Sequence, residues 1–315
     1  RDTIMKALYF NGKSLEYLED YKKPVRAEDE ALIKILYAGI CNTDREIMKG
    51  YRPDFKGVLG HEFVGEVVES NDEKLIGKIV VGEINKGCGH CKYCLRGEET
   101  HCVDRKVLGI SGHDGVFTQF ITWKNDLLHV VEDNLDPKKA LFTEPLAAAV
   151  EICEREDIKP TSSVLLVGDG RLSFMIGQVI ALTGADLTVL GKHQDKLDNF
   201  KSFANVIMDT DDTFEIVIDA TGSPSGIETA LKLVENRGRI IVKSTYTENV
   251  EIDLSEIVVR EIGIKGSRCG PFNPALNLLK KGYVEFPDVE FFELKDYEKA
   301  FSSKSFKVGF KLWED

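Results

Sequence analysis

Four of the seven cysteines in this chain fall within fifteen residues, CGHCKYCLRGEETHC, and are the first group that could do chemistry. Cys88, Cys91, Cys94 and Cys102 follow the spacing C-x2-C-x2-C-x7-C. Short C-x2-C steps let one turn direct two thiolates at one ion, and four thiolates complete a tetrahedral zinc shell. Because no coordination position would remain for water or substrate, the cluster predicts a structural zinc site in a lobe of residues 88–102.

Three other interpretations of the cluster stay open, although each fits the spacing less well. A ferredoxin-type iron–sulfur run places its fourth cysteine after three residues and follows it with proline; here seven residues intervene and Val103 follows. A redox C-x-x-C pair is typical of a strand–helix junction, whereas this cluster lies in a β-rich region. A nucleic-acid-binding zinc ribbon would need a second, distant cysteine pair and a basic surface.

A second set of potential ligands is spread over three segments: CNTDREI (41–47), GHEFVG (60–65) and TEPLAAAV (143–150). Cys41, His61 and a carboxylate would give zinc three protein ligands and one open position, as catalytic zinc requires. Residue type alone supports this weakly. A lone cysteine is often a small buried residue, and a lone histidine is often a satisfied surface or core group.

A glycine-rich turn, GDGRLS, follows an apolar run and precedes a helical pattern. This context predicts a pyrophosphate site at a helix N-terminus. The first glycine would make the tight turn and the second would let the backbone approach phosphate, while Ser173, in place of a third glycine, is small enough for close helix–strand packing. The predicted cofactor-binding residues of the turn are Gly168, Gly170, Arg171 and Leu172.

The end of the next strand predicts which dinucleotide is bound. NAD enzymes place Asp or Glu there to accept a hydrogen bond from the ribose 2′-OH, but this chain has Gly191, twenty-three residues beyond Gly168. Loss of the carboxylate removes repulsion toward a 2′-phosphate, with which Lys192 and His193 could pair. The sequence therefore favours NADP over NAD. The alternative is an ordinary basic loop that binds NAD less selectively.

The elements that must carry these residues change in character near residue 145. Runs 31–37, 63–69 and 78–84 are short and β-rich, and Gly and charged turns separate them. No convincing helical period occurs before about residue 138. From residue 163 to about residue 270, apolar strands alternate with helical patterns, which predicts a doubly wound parallel sheet with right-handed crossovers.

Composition and charge exclude several classes of function. The chain has 315 residues, of which 43% are hydrophobic and 30% charged, as is typical of one large or two ordinary globular domains. Its formal charge of −12 argues against nucleic acid as a partner. No apolar run approaches the roughly 20 residues that span a bilayer. Reduced thiols and the lack of a secretory segment predict a cytoplasmic protein.

The order of these segments resembles the zinc-containing medium-chain alcohol and polyol dehydrogenases along nearly the whole chain. The resemblance implies an α/β protein in which residues 1–147 and 272–315 form a β-rich, GroES-like catalytic domain. Residues 148–271 would form an inserted Rossmann domain with a doubly wound parallel sheet, and the active site would lie in the cleft. It also implies two zinc ions per chain, one catalytic and one structural, and a homodimer or homotetramer.

Carried over residue by residue, the resemblance implies a catalytic zinc held by Cys41 and His61. Glu62 matches the acidic residue after that histidine, which either binds zinc or lies just behind it. Glu144 matches the third protein ligand, a carboxylate in the sorbitol and glucose dehydrogenase branches. Asp44 matches the carboxylate that orients the zinc histidine, a role that fixes the imidazole tautomer.

The remaining implied roles concern the proton, the ribose and the substrate. Thr43 matches the hydroxyl residue that takes the alcohol proton, and Lys196 matches a lysine that reaches the adenosine ribose. Glu46 stands where many alcohol dehydrogenases have the histidine that ends the proton relay, so it either ends the relay or is a solvated surface glutamate. Its TDRE context resembles archaeal glucose dehydrogenases, which favours a sugar or polyol among small-molecule alcohols.

Two other functional classes remain as alternatives. A non-catalytic zinc-binding protein could retain a dehydrogenase fold after its catalytic site had decayed, but the presence of Cys41, His61 and Glu144 speaks against decay. A zinc-free NADPH quinone or enone reductase would share the fold. That branch lacks both the four-cysteine lobe and the zinc ligands.

Overall fold

The computed structural model describes residues 3–243, 245–246 and 248–314, which form two compact units. The first unit contains the segment that ends at Glu144, together with Leu279–Lys281 and the segment from Glu285 onward. The second contains Pro145–Leu278 and Gly282–Val284. The domain boundaries expected from the sequence, after residue 147 and before residue 272, stay a prediction about independently folding domains.

The described residues contain short strands throughout the chain and helices mainly in its second half. The strands are β1 (Ile4–Phe10), β2 (Leu15–Lys22), β3 (Glu30–Gly39), β4 (Gly57–Val58), β5 (Glu62–Glu69), β6 (Ile79–Gly82), β7 (Asn85–Lys86), β8 (Lys106–Leu108), β9 (Gly112–His113), β10 (Phe120–Lys124), β11 (Leu128–Val130), β12 (Ser163–Val167), β13 (Asp186–Leu190), β14 (Asn205–Ile207), β15 (Phe214–Asp219), β16 (Val234–Val242), β17 (Gly263–Gly266), β18 (Val289–Phe292) and β19 (Lys307–Lys311).

The helices differ in length from one turn to more than three turns. They are α1 (Asn42–Met48), α2 (Pro137–Ala140), α3 (Thr143–Arg155), α4 (Arg171–Ala181), α5 (Gln194–Leu197), α6 (Pro224–Leu233), α7 (Leu254–Arg260), α8 (Phe272–Lys280) and α9 (Tyr297–Ser302). Among the described residues, no helix has both the length and the apolar character needed to cross a membrane.

The first unit is built on a seven-stranded sheet in the order β11-β6-β5-β3-β19-β18, with β10 paired to β3 as well. Strand β3 is the centre of this sheet because it pairs antiparallel with β5, β10 and β19. Its apolar residues Ile33 and Ile35 are fully buried, as expected for β-branched side chains in a central strand. Two three-stranded sheets, β2-β1-β4 and β7-β8-β9, complete the unit.

Helix α1 lies in the part of the chain where the sequence shows no helical period, so the sequence did not reveal it. The helix has seven residues, and only Asp44 and Ile47 are buried. Two turns with two buried positions are too short to produce a recognisable period. The β-rich character expected for the rest of this region is confirmed.

The second unit is built on a six-stranded parallel sheet in the order β14-β13-β12-β15-β16-β17. The order reverses at β12, whose neighbours are β13 on one side and β15 on the other. In doubly wound sheets, ligands bind at the carboxyl ends of the strands at this reversal. Side chains buried on β12, β15, α6 and β16, including Leu165, Val217, Ile227 and Ile240, form one core cluster.

We expect Ile240→Ala to lower the free energy of unfolding by about 2–5 kcal/mol, because it leaves a cavity in this core. Ile264→Ala is the matched control, because Ile264 pairs with Ile240 in register on edge strand β17 but is 37% exposed, whereas Ile240 is fully buried. Urea unfolding of both variants measures the two losses. Equal losses would contradict the assignment of Ile240 to the core.

Candidate metal and dinucleotide sites

Three potential metal ligands from two segments meet at one end of the paired strands β3 and β5 in the first unit. The ligand atoms of Cys41, His61 and Glu62 all lie within 4.8 Å of one another. Cys41 follows β3 as the N-cap of α1, and His61 and Glu62 stand at the start of β5. His61 is 3% exposed and Glu62 is 1% exposed. A sulfur, a nitrogen and an oxygen donor in a buried group suit zinc.

A glycine lets the strands that carry these ligands approach each other. Gly39 pairs with Glu62 in the β3–β5 ladder. A Cβ atom at Gly39 would lie 2.5 Å from Glu62 Oε2 and 3.0 Å from Lys307 Cε, closer than non-bonded atoms allow. The space that a side chain would fill at position 39 is therefore taken by the carboxylate of Glu62.

Asp44 is a buried residue that lies next to both Cys41 and His61. It is fully buried, and its Oδ2 accepts a hydrogen bond of 2.8 Å from the backbone N–H of Cys41. Its Oδ1 lies 3.5 Å from Nδ1 of His61, and within the described part of the chain neither of these two atoms has a hydrogen-bond partner. Burial lowers the pKa of His61, but Asp44 and Cys41 raise it by more, so its pKa lies well above the ordinary value.

Lys307, on β19, is a member of this cluster that sequence analysis missed. Its ammonium group forms an ion pair with Glu62 and donates a 3.3 Å hydrogen bond to the carbonyl of Ile40. The lysine and glutamate side chains are 8% and 1% exposed. Burial lowers the pKa of Lys307, but Glu62, Cys41 and Glu144 raise it by more. The alternation of apolar residues along β19 carries no signal for a buried cation.

The other predicted residues of this site lie on helices α1 and α3. Thr43 Oγ1 is 3.7 Å from the Cys41 sulfur, so the hydroxyl adjoins the metal ligands. Glu46 pairs with Lys49 at 3.1 Å and is 30% exposed, which fits a surface glutamate better than a relay member. Glu144 is in the first turn of α3 and outside the three-ligand group, but its charge acts on Lys307.

The four-cysteine lobe forms the second potential metal site. The sulfur atoms of Cys88, Cys91, Cys94 and Cys102 lie within 4.8 Å of one another. Cys91 and Cys94 are 3.6 Å apart at their sulfurs, and the N–H of Cys88 donates to the Cys102 sulfur at 3.3 Å. Hydrogen bonding from the backbone of Cys94 lowers the pKa of Cys91 to about 6. Four sulfurs around one point suit a closed zinc site.

The glycine-rich turn of the second unit lies where the sheet order reverses. Gly168 has a φ of +122°, which favours glycine, and a Cβ there would lie 3.0 Å from the carbonyl oxygen of Ala220. Gly170 is the N-cap of α4, and a Cβ at this position would meet no atom within 4 Å among the described residues. Arg171 and Leu172 start the helix. The open side of Gly170 and the N–H groups of the first helical turn fit a pyrophosphate.

The loop after β13 contains the predicted ribose-binding residues together with a carboxylate from the preceding turn. Gly191 follows β13 directly, Lys192 and His193 come next, and Lys196 is on α5. Asp169, the middle residue of the GDG turn, accepts hydrogen bonds from this loop, the shortest at 2.8 Å from the N–H of Lys192. A pattern search for an acid at position 191 cannot find a carboxylate that comes from another loop.

Comparison with known proteins agrees with this architecture. Residues 27–133 match the alcohol dehydrogenase GroES-like domain. D-arabitol-phosphate dehydrogenase of Enterococcus avium is 28% identical over 312 residues, which cover 90% of this chain and 88% of that enzyme. Sorbitol dehydrogenase of Halalkalibacterium halodurans is 24% identical over 312 residues, covering 90% and 91% of the two chains.

The fold is shared with solved dehydrogenase and reductase structures. Acetophenone reductase from Geotrichum candidum, solved in complex with NAD, superposes with a TM-score of 0.88 over 100% of this chain and 99% of its own, at 24% identity. The predicted fold class, a GroES-like β-rich domain with a Rossmann parallel-sheet domain, is confirmed.

We expect Lys307→Met to lower the free energy of unfolding by about 3–5 kcal/mol, because it leaves the Glu62 carboxylate buried without its cation. Urea unfolding of the protein as purified measures the loss. Lys49→Met is the matched control: it removes an ion pair whose lysine is 72% exposed, so a loss of about 0–1 kcal/mol is expected. Similar small losses for both variants would show that Lys307 is not needed to stabilise the buried carboxylate.

Proposed function

We propose that the chain is a zinc-dependent oxidoreductase of the medium-chain alcohol and polyol dehydrogenase type, which its GroES-like domain match and its polyol dehydrogenase relatives support. The reaction would transfer hydride between a polyol or sugar alcohol and NAD(P). The observation that carries the proposal is the meeting of Cys41, His61 and Glu62 within 4.8 Å in a buried group. A sugar or polyol is supported by the names of its relatives, which include sorbitol and arabitol-phosphate dehydrogenases.

Cys41 and His61 would hold the catalytic metal, with a carboxylate from Glu62 or Glu144 as third ligand. Glu62 has its oxygen within reach of the other two ligands, although Lys307 shares that carboxylate. Glu144 is outside the three-ligand group but acts on the same lysine. When bound, zinc would supply a Lewis acid that makes the substrate hydroxyl more acidic.

The surrounding side chains would move the proton and hold the ligands in orientation. Thr43, next to the Cys41 sulfur, would accept the proton of the substrate hydroxyl at its Oγ1. Asp44 Oδ1, 3.5 Å from Nδ1 of His61, would hold the imidazole proton on Nδ1, so that Nε2 is the nitrogen that binds the metal. Glu46 would end a proton relay only after separating from Lys49, so we assign the relay to Thr43 and solvent.

The two remaining predicted sites would serve stability and cofactor binding. The four-cysteine lobe would hold a structural zinc, because four sulfur ligands leave no position for substrate. Gly168, Gly170, Arg171 and Leu172 would bind the dinucleotide pyrophosphate at the start of α4. The nicotinamide would supply the hydride acceptor. A cytoplasmic homodimer or homotetramer stays an expectation from the resemblance.

The two alternative functions each lack a supporting observation in the site. Decay of the catalytic centre would be expected to scatter the ligands, whereas Cys41 and His61 lie together with Asp44 behind them. A zinc-free quinone or enone reductase would not need a second group of four clustered sulfurs.

We expect elemental analysis of protein purified without chelator to give two zinc ions per chain, and one in Cys41→Ser. The loss follows because serine is a poor zinc ligand and two remaining donors hold the ion weakly. Cys153→Ser is the matched control, since Cys153 belongs to neither ligand group, and it should keep both ions. One zinc in the wild type, unchanged in Cys41→Ser, would leave only the lobe as a metal site.

We expect the protein to turn over polyols or polyol phosphates. The absorbance of reduced nicotinamide measures this turnover for D-arabitol, D-arabitol phosphate, sorbitol and glucose, and for ethanol and threonine as comparisons.

Thr43→Val should lower kcat by about 10²–10⁴-fold, as expected for loss of a proton-transfer group. Thr43→Ser keeps the hydroxyl and should retain most activity. Turnover of ethanol alone would contradict the polyol assignment, and full activity of Thr43→Val would contradict the role of its hydroxyl.

A further inference from the structure

The Asp169 carboxylate reaches from the glycine-rich turn into the loop after β13. Its Oδ2 accepts three hydrogen bonds: from the N–H of Lys192 at 2.8 Å, from the N–H of His193 at 2.9 Å and from Nδ1 of His193 at 3.0 Å. The side chain is 11% exposed. Burial raises the pKa of Asp169, but these donors lower it by more, so the group is an anion at neutral pH.

The same carboxylate lies where a side chain at position 191 would be. A Cβ atom added to Gly191 would lie 2.8 Å from both Cβ and Oδ2 of Asp169. Position 191 is where NAD enzymes of this fold carry the acid that accepts from the ribose 2′-OH. The chain therefore has a carboxylate at this place in space, although the residue at this place in the sequence is glycine.

We propose that Asp169 selects the dinucleotide and makes the chain prefer NAD(H) to NADP(H). The inference rests on the proposed function, in which the Gly168–Gly170 turn binds the cofactor. It reverses the expectation from Gly191, Lys192 and His193, because that expectation assumed that no carboxylate faces the ribose.

The contacts of the loop explain why a 2′-phosphate would bind poorly. Backbone N–H groups are the donors that a phosphate would need, and those of Lys192 and His193 are already bonded to Asp169. The His193 ring is bonded to the same oxygen. A phosphate would therefore meet a fixed anion, which the exposed Lys192 and Lys196 side chains would only partly offset.

A ribose hydroxyl, by contrast, suits the remaining oxygen of the carboxylate. All three hydrogen bonds to Asp169 go to Oδ2, and Oδ1 accepts none within the described part of the chain. An ionised carboxylate oxygen accepts hydrogen bonds strongly and cannot donate one. Oδ1 is thus a suitable acceptor for a 2′-OH.

The test is calorimetric titration of the full chain with NADH and with NADPH, which reads binding without any substrate. We expect the wild type to bind NADH at least about tenfold more tightly than NADPH, since juxtaposed like charges cost several kcal/mol. Asp169→Asn removes the charge with little change in shape, and should shift the ratio of the two dissociation constants toward NADPH by about tenfold or more.

Asp186→Asn is the matched control. It removes the same charge from β13, at the opposite end of that strand from the cofactor loop. It should leave the ratio of dissociation constants unchanged. An equal shift in both variants would assign the preference to net charge and overturn the role of Asp169.

The double variant Asp169→Gly with Gly191→Asp keeps the test valid even if Asp169→Asn unfolds. It supplies a carboxylate to the same space from β13, once the end of the Leu197 side chain, 2.8 Å from the added Cβ, moves aside. Thermal unfolding establishes that each variant is folded, and we expect the swapped protein to recover the NADH preference.

Several outcomes would overturn the inference. Tighter binding of NADPH by the wild type would do so, as would an unchanged ratio in folded Asp169→Asn or a swapped protein that prefers NADPH. Failure of the folded wild type to bind either dinucleotide is a different result. It would overturn the proposed function, and the inference with it.

Discussion

The register between β3 and β5 determines the candidate metal site. Gly39 stands opposite Glu62, so Cys41, two residues further along one strand, and His61, one residue before the other, come to the same end of the ladder. A slip of one residue would turn these side chains to the opposite face. Register in this sheet is set by the buried apolar residues of both strands, so the core of the unit also fixes the geometry of the ligands.

Burial makes the charges of this site depend on one another. Asp44 and Glu62 place two carboxylates in a buried cluster, where Lys307 is the cation paired with Glu62. Buried charges are costly unless they are paired. The ion pair with Lys307 therefore stabilises the buried Glu62 carboxylate.

In the loop after β13, a carboxylate comes from a different place in the chain than the sequence position where one is expected. A carboxylate near the end of β13 is supplied by Asp169 from the turn after β12, and Gly191 leaves room for it. Asp169 and Lys192, 23 residues apart in the sequence, adjoin because β12 and β13 are parallel neighbours. The residue type at position 191 alone therefore does not reveal the carboxylate that occupies the space beside it.

The sequence by itself determined the chemical types of the candidate metal ligands, the strand–turn–helix around Gly168 and the order of segments that indicates the fold. Those features can be found from the sequence because each is either a short motif or the succession of motifs along the chain. It did not reveal helix α1, which is too short to show a period, nor Lys307 and Asp169. Only the tertiary structure decided that Lys307 pairs with Glu62 and that Asp169 takes the place of a side chain at 191, because both contacts join segments whose relation depends on strand pairing.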